Sequence, residues 1–279
     1  MMMSPFFYSS PSPPGASSTV ENANQCASDF VRVTAAAGLS LNPLKTQMII
    51  IGRPHSDLRM IVDGEFVPAC ESFSFLGIEL DSNLSPAPYI DALTVDCRRR
   101  VGILRLTESR IGRSNLKLVV SGLLYGKLSY LLAHCLVVRV SSEESPSGRG
   151  KKLQIVVNDA LRLLAGVRRS DRVKLTDLRE DVDVPTVNYV VARDAAMAAW
   201  WAMASPEGSP LSGIMEELRP DLRTRGATDG LLRPPKDSRN IYVGNMVKIW
   251  NAFPALAKAK SPTMARSFIR KELKNALPV

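Results

Sequence analysis

Two stretches decide how this chain is read: Gly38-Leu-Ser-Leu-Asn42-Pro43-Leu-Lys45-Thr46-Gln-Met48-Ile-Ile-Ile51-Gly52 and, further on, Phe73-Ser-Phe75-Leu76-Gly77-Ile78-Glu79-Leu80-Asp81. Met48 to Ile51 is a short apolar, β-branched run closed by Gly52-Arg53-Pro54, the pattern of a buried strand. Between the two blocks, Asp63-Gly64 separates Met60-Ile61-Val62 from Phe66-Val67 and predicts a hairpin with a tight turn. Phe73, Phe75, Ile78 and Leu80 predict one further strand with Gly77 inside it. A glycine so placed marks a bulge, or a point where another backbone or a ligand comes close.

Upstream, Thr19 to Ala37 reads as a helix capped by Thr19 and stopped by Gly38. Residues 1–18 are rich in proline and serine and read as a loose leader, or as the tail of a strand at Phe6-Phe7-Tyr8. Downstream, Pro86 and Pro88 end the strand region. A helix is expected from about Tyr89 to Leu106, burying Ile90, Leu93, Val101 and Leu104 and carrying Arg98-Arg99-Arg100 and Arg105. Ser114 is placed to cap the next helix, with Leu116, Val119, Val120, Leu123 and Leu124 at helical spacing up to Tyr125-Gly126. Ser141 to Gly150 reads as a loop. Lys151 to Ala165 is amphipathic, with Leu153, Val156, Val157, Ala160, Leu161 and Leu164 on one face and Gly166 at its end. Arg168, Arg169, Arg172 and Lys174 follow as a second basic cluster.

The block Gly-Leu-x-Leu-Asn-Pro-x-Lys-Thr, a hairpin, and then Phe-Leu-Gly-Ile-x-Leu-Asp resembles the end of the palm of a reverse transcriptase, specifically of the non-LTR retrotransposon type. The resemblance implies that Lys45 stands near the incoming nucleotide and that Phe75, Leu76 and Gly77 form a grip on the primer end. Read from the residues alone, Lys45 is a surface lysine at the turn after Asn42-Pro43, and Phe75 to Gly77 is core strand with a bulge. The basic helix and the segment ending in Leu124-Tyr125-Gly126 that follow resemble the thumb of such enzymes. Val247-Lys-Ile-Trp250-Asn251 and Ser267-Phe268-Ile-Arg-Lys-Glu-Leu273 resemble their closing element.

The family works with a pair of adjacent aspartates on a palm hairpin and a third on an earlier strand, together holding two magnesium ions. This sequence contains no Asp-Asp pair. The expectation is therefore a C-terminal piece of a reverse transcriptase, starting just beyond its catalytic centre. Magnesium would belong to the complete enzyme, with no cofactor in this chain. In the complete enzyme Lys45 would offset or protonate the departing pyrophosphate.

Charge supports the same partner. The net charge is +9, and it is uneven. Residues 1–97 hold 4 Lys/Arg and 10 Asp/Glu, residues 98–174 hold 17 and 5, and residues 175–279 hold 15 and 12. The middle third thus carries the whole excess, which suits a polyanion such as the phosphate backbone; a solvated basic helix face is the other reading. The candidate contacts are Arg98, Arg99, Arg100, Arg105, Arg168, Arg169, Arg172 and Lys174, and the implied partner is an RNA/DNA template–primer duplex. Such contacts give affinity without choice of sequence.

Cys26, Cys70, Cys97 and Cys135 have neither zinc-site spacing nor a secretory signal beside them, so no metal site and no disulfide is expected. Leu116 to Val138 is strongly apolar, but Lys127 and His134 interrupt it, which favours a core helix or helix pair over a membrane span. An intracellular protein, nuclear or cytoplasmic, is expected. Val182 to Ala204 leads through an alanine-rich helix to Trp200-Trp201, read as core or as a stacking surface for a base. Residues 205–240, rich in proline and glycine, read as a linker, and Asn240 to Val279 as two helices broken at Pro254.

The fold expected is α+β: a palm-end remnant with its hairpin over residues 19–85, a basic helical thumb-like part over 86–174, and a helical extension over 175–279. A nucleic-acid-binding protein domesticated from such an element, or the product of a decayed one, are the alternative readings.

Overall fold

The computed structural model describes residues 16–51, 59–75, 77–141, 148–205, 213–214, 218–219, 230–236, 240–273 and 276–277. Among the readings above, residues 1–15, Gly52 to Pro54, Leu76, most of the Ser141–Gly150 loop and most of the 205–240 linker lie outside the described residues. The chain is α+β and divides into two compact units, residues 1–89 and 90–279.

The first unit begins with helix α1 (Ala16–Ala36), four residues earlier than a Thr19 cap would give, so Thr19 lies inside the helix. Its end is the one expected. Gly38 takes φ +73°, the Gly38 N–H donates to the Ala35 carbonyl, and the Leu39 N–H donates back to Thr34 at 2.9 Å. A residue with a β-carbon would be strained at that left-handed position.

Strands β1 (Arg59–Val62) and β2 (Glu65–Pro68) pair antiparallel around Asp63-Gly64. Both turn residues have positive φ, +51° and +82°, giving the twist that suits a two-residue hairpin. Val62 and Val67 lie on the buried face of this ribbon, and Ile61 and Phe66 on its open face. The Asn24 side chain on α1 accepts a hydrogen bond from the Ile61 N–H at 2.9 Å, tying helix to ribbon.

Two expectations are corrected in this unit. Met48 to Ile51 is not a strand. An apolar β-branched run becomes one only where an edge runs alongside it. Among the described residues pairing here is limited to a single parallel bridge, Met48 to Ala69, with the Cys70 N–H donating to the Met48 carbonyl at 2.8 Å. Nor does Gly77 sit inside a strand. Strands β3 (Ser72–Phe75) and β4 (Ile78–Asp81) are antiparallel partners, with Phe75 opposite Ile78. The chain therefore reverses between Phe75 and Ile78, and φ +79° at Gly77 is what a tight turn requires. The two ribbons are separate two-stranded sheets.

The second unit is helical. It opens within α2 (Ala87–Thr107) and continues with α3 (Arg113–Val120). Gly112, not Ser114, is the residue before α3, and it gives no side-chain cap. A π turn at Ser121–Tyr125 carries α3 into the short α4 (Gly126–Leu128), and α5 (Leu132–Cys135) follows. Helix α6 (Gly148–Ala165) starts before the expected Lys151 and ends at Gly166 with φ +71°. After a turn at Arg169–Asp171 come α7 (Leu175–Val182) and α8 (Val187–Ala204), the latter capped by the Thr186 hydroxyl. Helix α9 (Ile241–Ala252), a turn at Pro254–Lys258, and α10 (Pro262–Phe268), prolonged by a π turn at Ile269–Leu273, complete it.

Helix α8 is the centre of the core. Ala192, Ala195, Ala196 and Ala199 are fully buried on it, and their small side chains let α9 and α5 pack close. Trp200 is buried and its Nε1–H donates to the Ala259 carbonyl at 2.8 Å, whereas Trp201 is 46% exposed. Asn245 on α9 is 1% exposed. Its Oδ1 accepts from the Val138 N–H, and its Nδ2 donates to the carbonyls of Ala133 and Leu136. Among the described residues no helix is long and apolar enough to cross a membrane.

Candidate nucleic-acid interface

Helix α2 buries one stripe, Ile90, Leu93, Cys97, Val101 and Leu104. A helix turns 100° per residue, so that stripe fixes where each arginine points. Arg98 and Arg105, two turns apart, share the flank that faces α6. Arg99 and Arg100 do not. Arg99 Nη2 lies 3.0 Å from Asp96 Oδ1, and Arg100 Nε lies 2.9 Å from Asp96 Oδ2. Arg100 also donates to the Leu123 carbonyl at 3.3 Å, toward the opposite side of α2. Partial burial alone would raise the Asp96 carboxyl, but the hydrogen bonds and charges of Arg100 and Arg99 outweigh it and hold the group below the usual carboxylate range.

Helix α6 buries Leu153, Val156, Val157, Ala160, Leu161 and Leu164, leaving Ile155 and Asp159 on the flank toward α2. The two helices run in the same direction. Asp91 on α2 meets Arg149 at 3.3 Å and Lys152 at 3.9 Å near the start of α6, and Arg105 on α2 reaches Asp159 further along. Between them lies a groove of about 450 Å³ lined by Arg98, Gly102, Arg105, Ile155, Asp159 and Arg169, with the flanks of Val101 and Val156 at its base.

Arg169 reaches this groove from the second basic cluster. Gly166 turns the chain back at the end of α6, and the short turn after it points the Arg169 guanidinium at Asp159, with Nε 2.8 Å from Oδ1. That hydrogen bond, with the charge behind it, raises the Arg169 guanidinium above its ordinary value. Arg105 Nη2 is 3.8 Å from the same carboxylate. Arg113 lies at this end too: a β-carbon on Gly166 would stand 2.6 Å from its guanidinium. Three arginines and one aspartate give the groove a net charge of +2.

The remaining candidates fall elsewhere. Arg168, Arg172 and Lys174 are exposed on the segment leading into α7, with Arg172 at φ +52°. Lys45 is exposed in the first unit, ending a one-turn helix (Pro43–Lys45) capped by the Asn42 side chain. Phe75 ends β3, Leu76 is outside the described residues, and Gly77 is exposed at the tip of its hairpin. Among the described residues no three His, Cys, Asp or Glu side chains stand close enough to hold a metal ion.

Asp159 and Gly102 were not singled out from the sequence. Gly102 stands one turn from Arg98 and leaves the groove open beside it. The available signal was Asp159 as a lone acid between Lys151 and Arg169 in an otherwise basic stretch. Compared with family models, with curated proteins and with solved structures, the chain finds no match.

Proposed function

We propose that the chain holds the phosphate backbone of an RNA/DNA template–primer duplex in the α2–α6 groove. In this reading it is the palm-end, thumb and C-terminal part of a reverse transcriptase of the non-LTR retrotransposon type. It carries no phosphoryl-transfer centre of its own and acts inside the cell, in the nucleus or cytoplasm. The observation that carries the binding is the meeting of Arg98 and Arg105 with Arg169, from clusters more than sixty residues apart, on one groove. Guanidinium groups suit phosphate because their fork of N–H donors matches two of its oxygens. The exposed Gly77 hairpin tip supports the grip part of the reading, since backbone there is open to a partner.

The test is binding of a labelled RNA–DNA hybrid, followed by fluorescence anisotropy over a range of salt. Three phosphate contacts give a slope of log affinity against log salt of about −2.7. Replacing Arg98, Arg105 and Arg169 together by alanine should flatten that slope. Replacing Arg99 and Arg100 should change it little, because neither lines the groove. Equal effects from the two sets would overturn the assignment to the groove, and primer extension by the purified chain would overturn its non-catalytic part.

The decayed-element reading has one observation in its favour. In the first unit only Val62, Val67 and Tyr89 are buried among the described residues, while Leu44 is 96% and Phe66 66% exposed. A unit with so little core unfolds with poor cooperativity, whereas the second unit should melt sharply.

A further inference from the structure

Asp159 is only 14% exposed, yet it stands in a groove lined by three arginines. It takes Arg169 through both carboxylate oxygens and has Arg105 at 3.8 Å. A carboxylate so held presents the same pair of acceptor oxygens to a guanidinium as a phosphodiester does. The surroundings differ in mobility. Asp159 is fixed on α6, a helix packed along its length. The Arg169 side chain is 63% exposed, on a short turn beyond the helix. Of the two partners, Arg169 is the one free to swing outward.

We propose that Asp159 is an internal counter-ion that masks a phosphate seat, and that an entering phosphodiester displaces it from Arg169. This rests on the nucleic-acid reading above and adds the regulation of that site. In the free protein Asp159 occupies the donors that phosphate would use. On binding, the Arg169 guanidinium exchanges carboxylate for phosphate, and Asp159 keeps Arg105 as its partner. No bond other than hydrogen bonds is made or broken. The device weakens the hold on every polyanion alike, because both the exchange and the repulsion from the carboxylate oppose entry. A weak, exchangeable contact suits a duplex that must shift along the protein, where a permanent one would pin it.

The variant Asp159→Asn keeps size and shape and removes the charge, raising the groove from +2 to +3. Expected is binding to an RNA–DNA hybrid about tenfold tighter at moderate salt, because entry of a phosphate no longer takes a carboxylate partner from Arg169. Asp159→Ser should act in the same direction and serves if the amide variant folds poorly. Asp159→Glu retains the charge and should stay near wild type. If the wild type binds and both neutral variants bind equally or more weakly, Asp159 only braces Arg169, and the masking proposal fails while the nucleic-acid reading stands. If wild type and neutral variants alike fail to bind, both fall together.

Discussion

Replacing Asn245 by alanine tests the core of the second unit most directly. The Asn245 side chain satisfies three backbone groups: the N–H of Val138 at 2.8 Å and the carbonyls of Ala133 at 2.8 Å and Leu136 at 2.7 Å. All three residues are buried, Val138 completely, so bulk water does not take over. A buried group left without its partner costs about 1–3 kcal/mol. If one water enters the vacated space and restores one bond, two groups stay unpaired, and the loss is about 2–6 kcal/mol. For a unit of this size each kcal/mol moves the midpoint by about 2–4 °C, so Asn245→Ala should melt about 10 °C lower. Thermal unfolding followed by circular dichroism measures this. Asn245→Asp sharpens the test. A carboxylate there would face two carbonyl oxygens, so its folded-state pKa must rise above the unfolded value of about 3.9. The protonated acid can still donate to one carbonyl while accepting from Val138. Its stability is therefore fully present below the unfolded pKa and lost as pH rises through the folded one. A midpoint for Asn245→Ala within 2 °C of wild type, or an Asn245→Asp protein indifferent to pH, would refute this account of the clamp.

Two further outcomes follow from buried titratable groups. His134 stacks on Tyr242 with ring centroids 3.7 Å apart, and burial pushes its imidazole below the usual value. The unfolded chain then takes a proton more readily, so stability falls as pH drops through the ordinary imidazole range; His134→Phe should remove that part of the pH dependence, as melts between about pH 7.5 and 5.5 would reveal. Burial also pushes the thiols of Cys97 and Cys135 up to about 11, while Cys26 is exposed. With a disulfide reagent at mildly alkaline pH, Cys26 should react at once and Cys97 and Cys135 only on unfolding, and comparable rates for all three in the native protein would contradict the packing of α2 and α5.

Local chemistry was legible where one residue type decides the backbone. Gly38 and Gly166 end their helices because the left-handed position after a helix favours a residue without a β-carbon, and that preference needs no neighbours. Asp63-Gly64 fixed a hairpin for the same reason. The buried stripes of α2 and α6 followed from spacing alone, since a helix has one period and one inward face. Phe75-Leu76-Gly77-Ile78 was less legible. An unbroken apolar run looks the same whether the chain continues straight or doubles back, and the difference lies in whether Phe75 meets Ile78. Met48 to Ile51 shows the same limit, because a strand needs an edge that its own residues do not supply.

The sequence by itself determined a basic middle third, its helices and their inward faces, because composition and periodicity are properties of the chain alone. Only the tertiary structure divided the arginine triplet, turning Arg98 into the groove while Asp96 holds Arg99 and Arg100. It also brought Arg169 to Arg105 across Asp159 and set Asn245 against the backbone more than a hundred residues away. Each of these depends on which helix lies beside which, a result of burying all the apolar faces at once, and no local stretch encodes it.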